Sequence, residues 1–431
     1  MSANAANGLP ERPGASLLAF LRQEMKPKGK LLTPFNVITV AIMLAAAVIL
    51  YFRFTQGLGS VTNLSQEFPW GLWIGFDVMT GVAFAGGAYI LCFLVYILRL
   101  EKYHAIVRVT VLNGFLAYVF YAGALLLDLG RPWKVVNPII GNDFGLTSVL
   151  FLVAWHFMLY MMAELVEFSP AIAEWLGWKR IRRVLAGLTI GTVILGVSLS
   201  TLHQSALGAL FLMTEPKLHP LWYSEFIPIL FFVSSIFAGL SLVIFEGSIT
   251  HKVFHHRASP ELHRSHGGIV VSLARIAGGA MFVYLALEMI KFVHGQKWRY
   301  LEGGWGTWYL VEILGCVALP MILLIAGSRR RDLLMIRVGA LLTLVGVVLN
   351  RLNISVIAFK WYEPIHYVPT WMEIVVTAAV ISAELWVFRW VINRMPVLGP
   401  EPAWAEAARA TAPAAPAALP AAGPSVGPAR A

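Results

Sequence analysis

Asp77, Asp128, Arg131, His203, Glu288, His294, Glu312, Arg351 and Glu373 are side chains of this sequence suited by type to hold a polar ligand and move protons to it. Asp77 closes Phe-Pro-Trp-Gly-Leu-Trp-Ile-Gly-Phe-Asp at 68–77, Asp128 and Arg131 share Asp-Leu-Gly-Arg-Pro-Trp at 128–133, and His203 lies in Thr-Leu-His-Gln-Ser at 201–205. Each sits in or at the end of an apolar run. An ionisable group in such a run is expensive in lipid and is therefore a functional candidate by default. Trp70, Trp73, Gln204, Ser205 and His219 add flat rings, an amide, a hydroxyl and a second imidazole at a similar level. A quinone head needs this set: donors for two carbonyls, apolar rings around its plane, and groups that relay two protons as two electrons arrive. On that reading His203 and Asp128 bond and protonate the quinone, Arg131 positions it electrostatically and Asp77 delivers protons.

Plainer readings stand beside this one. Tryptophans at one level also form the ordinary interfacial belt, Asp128 and Arg131 can simply pair across a loop, and a lone His203 can be a satisfied interhelical hydrogen bond. Further from this level, His156, Glu246 and Glu384 are candidates for a proton path. Glu164 and Glu167 read instead as groups snorkelling or capping at helix ends. No metal site is expected. His251, His255, His256, His263 and His266 could ligate one, but they read more simply as a histidine-rich loop before the seventh span. A transmembrane cytochrome b needs facing deep histidines, and only His156 falls deep in a run, so no haem is expected here.

The elements that must position these groups follow from composition. The chain is 58% hydrophobic and 13% charged, with a mean hydropathy of +0.72, against roughly 25% charged residues in a soluble domain. Its apolar runs are continuous rather than alternating, which predicts spanning helices and excludes a β-barrel. Spans are expected at 35–54, 71–98, 106–127, 145–165, 184–203, 221–247, 268–293, 306–327, 333–355 and 371–393. The fold class is all-α, a polytopic membrane protein of about ten helices. Basic residues gather in alternate connections, as in Arg99, Lys102 and Arg108, and in the stretch 179–183. That bias puts both termini in the cytoplasm and accounts for the net charge of +10 without nucleic acid. The chain divides into a basic cytoplasmic segment 1–34, a transmembrane domain 35–396 and a disordered Ala/Pro-rich cytoplasmic tail 397–431. Only two cysteines, Cys92 and Cys316, are present, too few for an iron–sulfur cluster held by four thiolates. Gly81, Gly86 and Gly87 in the second span could mark the broken helix of a secondary transporter or serve close packing. A passive anchor is a further alternative.

A faint internal similarity relates Leu202-His203-Gln204-Ser205 to Leu352-Asn353-Ile354-Ser355, four spans later. Spans four apart run the same way, so the pattern would be a parallel repeat of two four-helix bundles.

Several strings resemble the NrfD/polysulfide reductase membrane-subunit family: 68–77, Thr-Leu-His-Gln-Ser-Ala-Leu-Gly at 201–208, Lys-Leu-His-Pro-Leu-Trp at 217–222, Val-Ile-Phe-Glu-Gly-Ser at 243–248 and Pro-Thr-Trp-Met-Glu at 369–373. Within that family the likeness is to the HybB type, the integral membrane subunit of a periplasmic nickel–iron hydrogenase. The resemblance implies two four-helix bundles plus two peripheral helices and a haem-free site for menaquinone or ubiquinone near the periplasmic face of the inner membrane. It also implies a ferredoxin-like iron–sulfur partner and hydrogenase small and large subunits, with hydrogen chemistry done by the partners. Members of the family also serve molybdopterin and multihaem reductases. Carried onto this sequence, the site residues implied are Asp77, Asp128, Arg131 and His203.

Overall fold

Ten helices in the computed structural model are long and apolar enough to cross a membrane. They are α1 (Pro34–Gln56), α2 (Trp73–Ile97), α3 (Glu101–Asp128), α4 (Val149–Trp175), α5 (Lys179–Thr214), α6 (Ile227–Val253), α7 (Pro260–His294), α8 (Gly304–Arg330), α9 (Leu333–Ile357) and α10 (Trp371–Ile392). The structure describes residues 17–137, 141, 145 and 148–399. Among these no strand occurs, and one isolated bridge joins Leu218 to Phe359.

Local sequence explains where the helices begin. Thr33, Ser148, Ser259, Asp332 and Thr370 each accept a backbone N–H as N-cap, and Pro34 and Pro260 occupy first-turn positions where no donor is lost. Glu373 completes a capping box with Thr370. Four segments widen to π turns, Trp73–Val78, Phe93–Ile97, Val311–Ala318 and Asn353–Ile357. Such turns insert one residue into the helix and often mark functional positions. Here they carry Asp77, Glu312 and Asn353.

Helices α2 to α5 pack in a closed ring, each on its chain neighbour and α5 back on α2; α6 to α9 repeat the arrangement. The expected two four-helix bundles are therefore present, and the repeat is parallel. The bundles meet chiefly through α2 and α6. A Cβ on Gly87 would stand 2.8 Å from the Gly239 carbonyl oxygen, and one on Gly86 2.7 Å from that of Ser235. These glycines thus serve backbone approach within a continuous helix and are not the break of a transporter. The peripheral pair α1 and α10 packs on the first bundle through Ala46, Ile49, Trp73, Val376 and Ala379. Arg53 of α1 donates to the carbonyls of Leu127 and Leu129 at 2.7 and 2.5 Å, satisfying the end of α3.

Both ends of the described chain lie on one face, because Arg394 donates to the carbonyls of Glu24 and Lys26 and Phe20 packs on Trp175. On this terminal face Glu174 binds Arg108 and Arg182 at 2.8 to 2.9 Å, clamping α3, α4 and α5. Residues 397–399, expected to begin the tail, instead fold onto the core: Val397 and Leu398 are buried, and Leu398 accepts the Ser259 N–H. The rest of the expected tail, and residues 1–16, lie outside the described residues.

Candidate functional site

Helix α5 runs eleven residues beyond the expected end at His203, to Thr214. His203 is therefore not at the rim but inside the first bundle, fully buried. Its Nδ1 lies 3.2 Å from the Val153 carbonyl of α4, which fixes the proton on that nitrogen, and its Nε2 has no protein partner. Phe157 and Tyr118 flank the ring at 5.4 and 5.9 Å. Next to it, Gln204 donates to the Val82 carbonyl at 2.8 Å, while its Oε1 is without a partner. Ser205 is half-buried on the same turn. His156, expected on a path with Glu246 and Glu384, belongs here instead, close enough to His203 to interact electrostatically. Depth alone thus no longer separates the chain from a haem protein, since two interior histidines share this bundle.

Asp77 points elsewhere. It is fully buried, and its Oδ2 accepts the Thr377 hydroxyl of α10 at 3.0 Å while Oδ1 has no partner. Tyr121, packed against Gly81, lies near Asp77 and presents its hydroxyl to Glu384. Glu384 in turn neighbours Glu246, which accepts the Asn113 amide at 2.5 Å. Two of the three expected path residues, Glu246 and Glu384, are thus joined to Asp77 through Tyr121, a link missing from the sequence reading.

Asp128 is half-buried with Oδ1 unpartnered, and the cation beside it is Arg53 of α1. Arg131 is exposed, and among the described residues no ion pair joins it to Asp128. The plainer alternative, an Asp128–Arg131 pair across the loop, is therefore not what the structure shows, and the charge that acts on Asp128 comes from another helix.

Three other expected ligands separate. Trp70 packs edge-on against Phe211 at 5.6 Å. Trp73 is buried in the seam with α1 and α10, where its indole donates to the Glu373 carbonyl. His219 lies over the second bundle, ringed by Trp222, Trp305 and Trp361 at 4.8 to 5.5 Å. Its Nδ1 accepts the Leu221 N–H, and burial, reinforced by Lys297, pushes its pKa down to about 4. Burial likewise lowers the Lys297 pKa; its ammonium donates to the carbonyls of Pro220 and Tyr223.

The second bundle holds a network around three further candidates, Glu288, Glu312 and Arg351. Glu312 accepts from Asn350 (2.7 Å), Asn353 (2.5 Å) and the Trp222 indole (2.7 Å). Arg351 donates to Ser234 at 2.6 Å and lies 3.6 Å over the Phe231 ring. Glu288 binds Lys291 at 2.6 Å and accepts from Tyr309. Every carboxylate of this network is satisfied, unlike Asp77, Asp128 and Glu164 of the first bundle. Glu164, read as a helix-end group, is another correction: it is buried against Gly114 with both oxygens unpartnered, while Glu167 accepts the Cys92 thiol at 3.3 Å.

The geometry defines a polytopic helical membrane protein of two parallel four-helix bundles, with partnerless polar atoms concentrated in the first. Residues 60–359 match the family described as Polysulphide reductase, NrfD, and the chain belongs to that family. A Nitratidesulfovibrio vulgaris protein is 42% identical over 89% of this chain and 100% of its own length. The Escherichia coli probable Ni/Fe-hydrogenase 2 b-type cytochrome subunit is 29% identical, over 86% of this chain and 94% of that one. The integral membrane subunit of Nitratidesulfovibrio vulgaris menaquinone reductase is 27% identical, over 75% and 81% respectively.

Proposed function

We propose that this chain is the quinone-reactive membrane subunit of a bacterial respiratory hydrogenase complex. It passes electrons between a periplasmic ferredoxin-like iron–sulfur partner and menaquinone or ubiquinone in the inner membrane. The observation that carries the reading is the pair His203 and Gln204, interior to the first bundle, each with one polar atom that no protein group satisfies. Buried polar atoms are nearly always hydrogen-bonded, so neighbouring orphans on one turn support a ligand with its own donors and acceptors. A quinone accepts at its carbonyls and, once reduced, donates from its hydroxyls. Asp77 and Asp128, on neighbouring helices of the same bundle and each with one unpartnered oxygen, supply protons from outside the His203 pocket; Arg131, exposed near Asp128 in sequence, contributes field rather than contact. The alternate basic connections favour a cytoplasmic terminal face, which would leave the opposite face to the periplasmic partner.

The hydrogenase partnership rests on the name of the Escherichia coli relative. The menaquinone reductase name favours a second reading in which the quinone stays and the catalytic partner is not a hydrogenase; the family resemblance suggests a molybdopterin or multihaem enzyme in that place. Purification of the complex in mild detergent, with mass spectrometry and a visible spectrum of the same sample, separates them. Nickel–iron hydrogenase subunits, with no haem band from this chain, are the expected result. For the site itself, His203→Ala is expected to abolish quinone-linked turnover while dye-linked hydrogen oxidation survives; unchanged quinone turnover in that variant removes His203 from the site.

A further inference from the structure

Four histidines meet at the terminal face, where the sequence pattern alone reads as a loop. Helices α6 and α7 extend to Val253 and from Pro260, so His251, His263 and His266 are helical and only His255 belongs to the turn between them. His251 Nε2 lies 2.9 Å from His263 Nδ1. The rings of His251 and His266 stack at 4.3 Å and 3°, and those of His255 and His263 at 4.0 Å and 27°. Exposure falls along the group: His255 is exposed, His263 and His251 are half-buried, and His266 is buried. Among the described residues no three metal-ligating groups are disposed to hold an ion. Imidazoles this close cannot all be charged, since two unit charges 4 Å apart repel by about 4 kcal/mol at an effective dielectric of 20. Arg337 of α9, near His251 and His266, adds to that repulsion, and Lys252, Arg257 and Arg264 stand on the same elements. A cluster of this kind carries a small shared charge and passes it from ring to ring.

His251 and His266 also line a cavity whose wall includes Thr250, Asn113 and Glu246. The far side of that cavity is thus the carboxylate that neighbours Glu384, and through it Tyr121 and Asp77. We infer that the four imidazoles form a proton-collecting mouth on the terminal face that feeds Glu246 and Glu384. The destination of the protons rests on the quinone reading above. In the balanced step, quinone takes two electrons from the iron–sulfur partner and two protons from this route to give quinol. Each ring accepts a proton on one nitrogen and releases one from the other, which leaves it as the opposite tautomer, and reorientation of the ring resets the cluster before the next proton. Glu261 of α7, at the start of the same helix, is the nearest acidic residue in sequence and is exposed.

The test uses the intact complex in sealed vesicles with the terminal face outward, comparing wild type with His251→Ala/His263→Ala. Quinone-linked turnover and dye-reported proton uptake are followed from pH 6 to pH 8. The double variant is expected to slow both by about tenfold or more at the alkaline end, where bulk protons are scarce. Millimolar imidazole should restore them, and dye-linked electron transfer in the partner should be unchanged. His251→Gln/His263→Gln, which keeps bulk and polarity, should show the same defect and the same rescue. Wild-type rates in both variants, or a loss that imidazole does not restore, overturn the proposal. A wild-type complex without quinone turnover overturns the quinone reading itself, and with it the destination, a failure visible before any variant is made.

Discussion

The indole N–H of Trp222 donates to Glu312 at 2.7 Å, tying the connection before α6 to the π turn of α8. Asn350 and Asn353 of α9 donate to the same carboxylate, so three separate segments of sequence meet at one side chain. Replacing Glu312 by Ala leaves three buried donors without an acceptor. Each orphaned group costs about 1–3 kcal/mol, so the loss should be about 3 kcal/mol or more, read as a lowered melting temperature in detergent. Glu312→Gln, which keeps an acceptor oxygen, should cost less. Equal melting temperatures for Glu312→Ala and wild type would mean the network is not what holds the second bundle at this end.

That network also marks the limit of what sequence can show. Ten spans, their alternating direction and the repeat of spans four apart were legible, because they depend on run length and on which residues face lipid. Span ends were not, where polar residues continue a helix past the apolar stretch. His203 was placed at a rim because Gln204 and Ser205 break the run, yet the helix continues for three more turns. The same effect hid the histidine cluster, since His251 and His263 lie just outside the apolar windows. Lateral neighbours are a second limit. Arg131 was the obvious partner for Asp128 by spacing, whereas Arg53, far earlier in the chain, is the cation beside it. Tyr121 gave no signal at all: a tyrosine in an apolar run reads as core until Glu384 is found facing it.

The α2–α6 contact predicts a sharp contrast among glycines. A Cβ on Gly239 would overlap the backbone of Gly86 and Gly87, and backbone cannot swing aside. Gly239→Ala should therefore destabilise by about 3 kcal/mol or prevent assembly of the two bundles. Gly191→Ala, with nothing within 4 Å of the added carbon, should be neutral or slightly stabilising, as expected in a helix interior. Melting curves of the two variants side by side decide it, and equal behaviour would refute the close approach.

Asp77 and Thr377 allow proton transfer to be separated from packing. Asp77→Asn retains shape and can still accept from Thr377, but it cannot gain and lose a proton. Quinone-linked turnover should fall by about a hundredfold with the melting temperature nearly unchanged. Thr377→Val removes the donor and should cost about 1 kcal/mol of stability with a smaller effect on rate. If the two variants lose rate equally, Asp77 acts through its hydrogen bond and not through its proton.

His219 makes stability depend on pH in a direction fixed by its surroundings. Its pKa in the folded protein is about 4, below the ordinary value of about 6.5. Below pH 6.5 the unfolded chain therefore binds a proton that the folded chain refuses, and stability falls as pH drops, the loss growing until about pH 4. Above pH 6.5 both states are neutral and the residue contributes no slope. At about 1.4 kcal/mol per unit, the loss cannot exceed about 3.5 kcal/mol, and partial access of water to the loop reduces it. Carboxylates titrate in the same window, so the diagnostic quantity is the difference between wild type and His219→Gln. Melting temperature followed from pH 8 to pH 4.5 should fall more steeply for wild type. Parallel curves would show that the imidazole is charged within its tryptophan ring, and that the Leu221 N–H does not hold Nδ1 unprotonated.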